Sequence, residues 1–248
     1  MSRLLILQHI EREGPGLFSK IAKNRGMETS IYRLDLGEEL PNLMTGDILL
    51  VLGGPMSIND IKDPNFPWLI KELSFIKEAL NNNFRIIGVC LGAQLLANAA
   101  GGKVEVLSNE ATFKPLPEVG WGPIVLNKKN NNDSLGDLLS LPFPVLHWHG
   151  DRILLPSCAE LIASSNRCEE QLFKIGSQAY GLQFHIETEG EMVKKWIEED
   201  KVFIKTALGI DAESILLRQE KIHREATHRM RSELIIKLFE ELNNCPNF

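Results

Sequence analysis

With 248 residues, 44% of them hydrophobic and 24% charged, the chain can bury a full core and carries no low-complexity tract. Its formal net charge of −6 argues against a nucleic-acid-binding surface and against attraction to anionic membranes. Its apolar stretches are strand-sized, so no membrane span is expected, and the opening Met1-Ser2-Arg3-Leu4-Leu5-Ile6-Leu7-Gln8 reads as a first strand rather than a secretion signal.

In chain order, residues 4–8 read as a strand, 16–24 as a short helix and 29–34 as a weaker strand, followed by a loop around Pro41. Residues 47–52 form an apolar strand that runs into Gly53-Gly54-Pro55. Leu69, Ile70, Leu73, Ile76 and Leu80 recur at helical spacing across 67–81, and residues 84–89 form the next strand. This alternation of helices with continuously apolar strands predicts an α/β fold with a mostly parallel central sheet covered by helices on both faces. From 103 to 185 the chain breaks into short strands separated by Gly, Pro and Asn (104–107, 122–126, 144–148, 160–164, 172–175 and 179–184), expected to add antiparallel edges and returns. The polar stretch 127–133 reads as a surface loop. After Glu187 the chain turns helical: 189–200 as one helix, and 212 to about 243 as another with Ile215, Ile222, Ala226, Met230, Leu234 and Leu238 on one stripe. The organisation expected is a domain over 1–188 and a C-terminal helical segment over 189–248 packed on it.

The most informative stretch is Gly88-Val-Cys90-Leu91-Gly92-Ala-Gln94, which follows an apolar strand and opens a helix. A cysteine flanked by glycines on such a turn has the layout of a nucleophile elbow, with the positive end of a helix favouring the thiolate. A thiolate nucleophile needs a base, a group that orients the base, and donors for the developing oxyanion. The base expected is His185, at the end of an apolar strand. Glu187, two residues on, projects to the same face of an extended backbone and can fix the ring. The oxyanion donors expected are the backbone N–H groups of Leu91 and of Gly54. The remaining cysteines, Cys158, Cys168 and Cys245, lack such a setting and read as structural or incidental, which suits a reducing, cytoplasmic compartment.

Taken together, Gly-Gly-Pro after an early strand, Gly-Val-Cys-Leu-Gly-Ala-Gln and Gln183-Phe-His-Ile-Glu187 resemble the class I (triad-type) glutamine amidotransferases. Glu118-Val-Gly-Trp-Gly-Pro-Ile124 and His147-Trp-His-Gly-Asp151 are similar to stand-alone relatives of the GMP synthase glutaminase domain. The resemblance covers roughly residues 4–188 and implies the flavodoxin-like fold of that family. It also implies that Cys90 attacks the glutamine side-chain amide to give a thioester and ammonia, with His185 and Glu187 completing a Cys-His-Glu triad. Gln94, Met56, Trp148, Gly150 and Asp151 would hold the substrate. One departure is Ile186, where the family commonly has proline. Another is that no synthetase loop of the Ser-Gly-Gly type follows, so the ammonia would go to a separate synthetase subunit.

No metal and no organic cofactor are expected. His147, His149 and Asp151 have metal-ligand character, weighed against a loop that lines the glutamine site. His9, His223 and His228 read as surface residues. Two rival readings remain beside the ammonia donor: a stand-alone γ-glutamyl peptidase or hydrolase, and a regulatory or binding subunit without catalysis. The expected partner is a small-molecule substrate, and a homodimer is compatible with the chain, whereas nucleic acid and membrane partners are not expected.

Overall fold

The computed structural model describes residues 2–109, 111–127, 135, 138 and 142–244. Most of the expected loop at 127–133, and Cys245, lie outside the described residues. The first half alternates strand and helix: β1 (Arg3–Gln8), α1 (Gly16–Asn24), β2 (Glu28–Arg33), β3 (Ile48–Val51), α2 (Leu69–Asn81), β4 (Arg85–Val89) and α3 (Leu91–Ala99). Shorter strands follow: β5 (Lys103–Val106), β6 (Glu118–Leu126), β7 (Phe143–His149), β8 (Asp151–Leu154), β9 (Ala159–Ser164), β10 (Leu172–Ile175) and β11 (Ala179–Leu182). Three helices close the chain: α4 (Met192–Glu199), α5 (Lys201–Leu208) and α6 (Ala212–Asn244).

Among the described residues the strands form a nine-stranded sheet in the order β2-β1-β3-β4-β11-β10-β9-β6-β7. From β2 through β11 neighbours run parallel, and from β11 to β7 they run antiparallel. The inner parallel strands β1, β3, β4 and β11 are buried on both faces, while the edge strand β2 is not, which is why β3 reads Ile-Leu-Leu-Val without polar alternation. Leu4, Ile6, Leu50 and Ile87 point to one hydrophobic cluster with Phe18 of α1 and Phe239 of α6. Leu5, Leu7, Leu49 and Ile86 point to the other, with Ile76 of α2 and Leu96 of α3.

The structure corrects several expectations. β5 does not join the main sheet but pairs with β8, which overlaps the expected loop around Asp151, in a separate two-stranded ribbon. A further helix, α5, follows the one expected at 189–200. The apolar stripe on the last helix is also wrong in its middle. Ile222 is 57% exposed, whereas Glu220, Thr227 and Arg231 face inward. Arg231 meets backbone carbonyls and Glu220 accepts from the Trp121 indole, so hydrophobic spacing could not reveal that face.

Arg231 explains the inward polar face. Its guanidinium is fully buried and donates to the carbonyl oxygens of Ile186 at 3.1 Å, Thr188 at 2.8 Å and Arg224 at 2.9 Å, and to Thr227 Oγ1 at 3.0 Å. It also lies 5.5 Å from the ring centroid of Trp121. On the opposite side, the Leu17 N–H at the start of α1 donates to the carbonyl oxygen of Glu187 at 2.9 Å. Gly16, at φ +39°, is required there because a Cβ would collide with that same carbonyl. The chain leaving β11 is thus held from two sides. Arg231→Ala is expected to strand two carbonyl acceptors of that segment and to lower unfolding free energy by about 2–5 kcal/mol, since each buried acceptor left unsatisfied costs about 1–3 kcal/mol. Arg231→Lys should recover little of it, because one ammonium cannot span the same acceptors. Urea unfolding followed by circular dichroism measures both.

Candidate active site

The carboxyl ends of β1, β3, β4 and β11 meet at one point, where ligands bind in open parallel sheets. Cys90 follows β4 directly with φ +50° and ψ −107°, a strained turn for a residue with a Cβ. The flanking glycines permit it. A Cβ at Gly88 would strike the Gly92 carbonyl, and one at Gly92 would strike the carbonyl of Val51 on β3. Cys90 is only 6% exposed, so the turn does not lift its side chain into solvent; the thiol is reached through a cavity.

His185 is 1% exposed and pairs through Nδ1 with Glu187 Oε1 at 2.7 Å. His185 and Cys90 flank the same point, since a Cβ at Gly53 would lie 3.1 Å from His185 Cε1 and 3.5 Å from the Cys90 Cβ. Burial of the ring disfavours its charge, but the Glu187 carboxylate and the neighbouring Cys90 thiol outweigh burial and hold the imidazole well above its ordinary value of 6.5. The second oxygen of Glu187 accepts from the Ile186 N–H at 2.9 Å. A proline at that position would have no N–H to give, so the departure from the family pattern supplies a donor. The ring also packs edge-on against Trp196 of α4, with centroids 4.8 Å apart.

The cavity over Cys90 has a volume of about 320 Å³. Gly54, Leu91, Met56, Gln94, Trp148, Gly150 and Asp151, all singled out in the sequence, line it together with Cys90. Among the described residues, Gly54 and Leu91 turn no N–H to a backbone acceptor. Gln94 donates to Gln183 Oε1 at 3.4 Å, and its own Oε1 is buried without a partner. The Trp148 carbonyl lies 3.9 Å from Cys90 Sγ, and its indole N–H donates to Asp200 at 2.9 Å. Asp151 accepts from Ser57 Oγ at 2.6 Å, and burial pushes its carboxyl up.

Sequence reasoning missed part of the lining. Arg12 and Glu13, just beyond β1, and Asp200, between α4 and α5, face the same cavity. A Cβ at Gly53 would lie 2.5 Å from Glu13 Oε2, 3.1 Å from His185 Cε1 and 3.5 Å from the Cys90 Cβ, so all three side chains crowd around that glycine. Burial raises the Glu13 carboxyl, against the pull of His185 and Arg12. The position of residues 9–13 at the carboxyl end of a parallel strand was the available signal.

Asp151 does not join the two histidines of β7. Glu118 of β6 does, and Glu118, His147 and His149 bring one ligand-type atom each to within 4.8 Å of one another. Gln171 Nε2 sits among them, donating to Glu118 Oε2 at 2.8 Å and lying 3.4 Å from His149 Nε2, so an amide satisfies much of this cluster. Burial pushes His147 down to about 4. His9 is buried rather than on the surface, while His223 is half-buried and stacks on Trp121 with centroids 5.8 Å apart. Among the described residues no helix is long and apolar enough to cross a membrane.

Residues 17–204 match the family model "Glutamine amidotransferase class-I". The chain is 31% identical over 210 residues to the glutamine amidotransferase-like protein YfeJ of Salmonella typhimurium, covering 84% of each chain. It is 32% identical over 125 residues to a glutamine-hydrolyzing GMP synthase subunit of Methanococcus vannielii, covering 47% of this chain and 60% of that one. It is 30% identical over 123 residues to γ-glutamyl peptidase 4 of Arabidopsis thaliana, covering 48% and 47%. A solved structure of a glutamine amidotransferase from Thermotoga maritima superposes with a TM-score of 0.81 at 27% identity, covering 98% of this chain and 99% of that one.

The three described cysteines differ in reactivity for structural reasons. Cys168 is buried, and burial pushes its thiol up to about 12. Iodoacetamide at neutral pH should therefore modify Cys90 and the exposed Cys158 but spare Cys168. His185→Ala should slow modification at Cys90 by about tenfold or more while leaving Cys158 unchanged, as mapped by peptide mass spectrometry.

Proposed function

The chain belongs to the class I glutamine amidotransferase family, and from that membership we propose that it cleaves γ-glutamyl amides, glutamine foremost, through a thioester on Cys90. The observation that carries this reading is the buried line from Cys90 through His185 to Glu187 at the wall of a cavity. In it the Cys90 thiolate attacks the amide carbon, and the tetrahedral oxyanion takes hydrogen bonds from the N–H groups of Gly54 and Leu91. Imidazolium at His185 protonates the departing amine. The freed imidazole then draws a proton from water, which attacks the thioester and releases glutamate. Glu187 keeps the ring in the tautomer and orientation that both steps need. Gln94, Met56, Trp148, Gly150 and Asp151 surround the amino-acid end of the substrate.

Two destinations for this chemistry follow from the relatives. Similarity to a GMP synthase subunit favours ammonia delivery to a separate synthetase. Similarity to a γ-glutamyl peptidase, and a cavity that continues from Cys90 to Arg12, Asp200 and Phe203, favours a stand-alone hydrolase that accepts a larger leaving group. The non-catalytic reading is weakened by the His185–Glu187 pair and the nearness of His185 to Cys90 at the Gly53 turn.

Kinetics on glutamine and γ-glutamyl dipeptides separate these readings. Cys90→Ala and Cys90→Ser should abolish glutamate release while thermal unfolding stays near that of the parent. His185→Ala should lower kcat by about 10²–10⁴-fold, and Glu187→Gln by less. Dipeptide cleavage faster than glutamine hydrolysis favours the stand-alone hydrolase. Equal turnover by Cys90→Ala and the parent would refute the assignment of the nucleophile.

A further inference from the structure

His9 stands just beyond β1, fully buried, with both ring nitrogens engaged. Nδ1 lies 2.9 Å from the Gly53 carbonyl oxygen, and Nε2 lies 2.8 Å from Oε1 of Glu72, a fully buried carboxylate on α2. A neutral imidazole has a single N–H and would leave one nitrogen lone pair facing an oxygen lone pair. Imidazolium avoids this: burial of the ring disfavours its charge, but Glu72 outweighs burial and holds His9 above its ordinary value. Nδ1 then carries a hydrogen and donates it to the Gly53 carbonyl oxygen.

That bond acts on a peptide with little else to hold it. Gly53 and Gly54 have no Cβ to restrict rotation about the plane that joins them. A Cβ at Gly53 would lie 2.5 Å from Glu13 Oε2 and one at Gly54 would lie 2.5 Å from Met56 Sδ, the ends of flexible side chains that would have to shift. Without either Cβ the peptide is free to flip. The carbonyl oxygen of Gly53 and the N–H of Gly54 belong to the same trans plane and point in opposite directions. Fixing the oxygen on His9 fixes the N–H on the other side.

We propose that His9, held by Glu72, is a positioning residue that locks the Gly53–Gly54 peptide so that the Gly54 N–H faces the oxyanion formed at Cys90. The inference rests on the reading of Gly54 as an oxyanion donor. His9 touches neither substrate nor thiol and acts only through the peptide. It thereby links α2, which lies behind the sheet, to transition-state stabilisation.

The test uses the full chain with L-glutamine and γ-glutamyl-p-nitroanilide. His9→Phe keeps the ring but removes the donor, and should lower kcat by about 100- to 1000-fold, the loss seen when one oxyanion donor is removed, with KM within about threefold of the parent. Alkylation of Cys90 by iodoacetamide needs no oxyanion hole and should proceed at the parental rate. His9→Asn places an amide N–H where Nδ1 stood and should restore kcat to within about tenfold, whereas His9→Gln, whose amide reaches the Nε2 position, should not. The Asn and Gln variants carry the comparison if His9→Phe does not fold. Parental kcat in His9→Phe, alkylation that slows in step with kcat, or equal rescue by Asn and Gln would each overturn the proposal. A parental protein that cleaves no γ-glutamyl compound at all would instead defeat the reading of the site itself, and this inference with it.

Discussion

The site depends on how Glu187 is held. A carboxylate that is 2% exposed costs several kcal/mol unless its oxygens are met, and both are: one by Nδ1 of His185 and the other by the N–H of Ile186. This leaves Nε2 as the ring nitrogen of His185 available to Cys90. The backbone that carries the pair is itself pinned, by the Leu17 N–H on one side and Arg231 on the other. A long helix at the end of the chain and the first helix near its start therefore converge on three residues after β11. Together they prevent the imidazole from drifting, since catalytic geometry is sensitive to displacements of about 1 Å.

The two halves of the sheet divide the remaining work. The parallel half delivers Cys90, the Gly53–Gly54 turn and the His9–Glu13 segment at the carboxyl ends of its strands. The antiparallel half brings β7 alongside, through the bridge between Leu146 and His185, so that the Trp148 carbonyl and Asp151 reach the opposite wall. The cavity between them is acidic. Glu13, Asp60, Asp151 and Asp200 line it against a single Arg12, which is already paired with Glu199 and Asp200. Such a lining suits the ammonium end of an α-amino acid better than it suits a second anion.

Much of this was legible in the residues. The strained turn at Cys90 announces itself through Gly88 and Gly92, because only small neighbours let β4 and α3 meet so closely. His185 and Glu187, two residues apart, do pair as their spacing suggests, although β11 ends at Leu182 and strand alternation does not reach them. What the chain order could not show is side-chain traffic between distant segments. His9 looks like any polar residue after a strand until Glu72 arrives on α2, and Glu118 becomes the partner of His149 only when β6 pairs with β7. The apolar stripe on α6 fails for a related reason: Arg231 is buried because its acceptors are backbone carbonyls, which have no signature in hydrophobic spacing. Proximity in sequence draws Asp151 into a metal grouping, whereas β8 turns its carboxylate toward Ser57.

The central claim is that Cys90 becomes acylated during turnover. Rapid acid quench of the chain with excess γ-glutamyl substrate, followed by digestion and mass measurement, tests it most directly. A γ-glutamyl group is predicted on the peptide that contains Cys90, accumulating further in a variant slowed in hydrolysis of the thioester. A modification found only on Cys158 or Cys168, or turnover with unmodified Cys90 at every quench time, would contradict it.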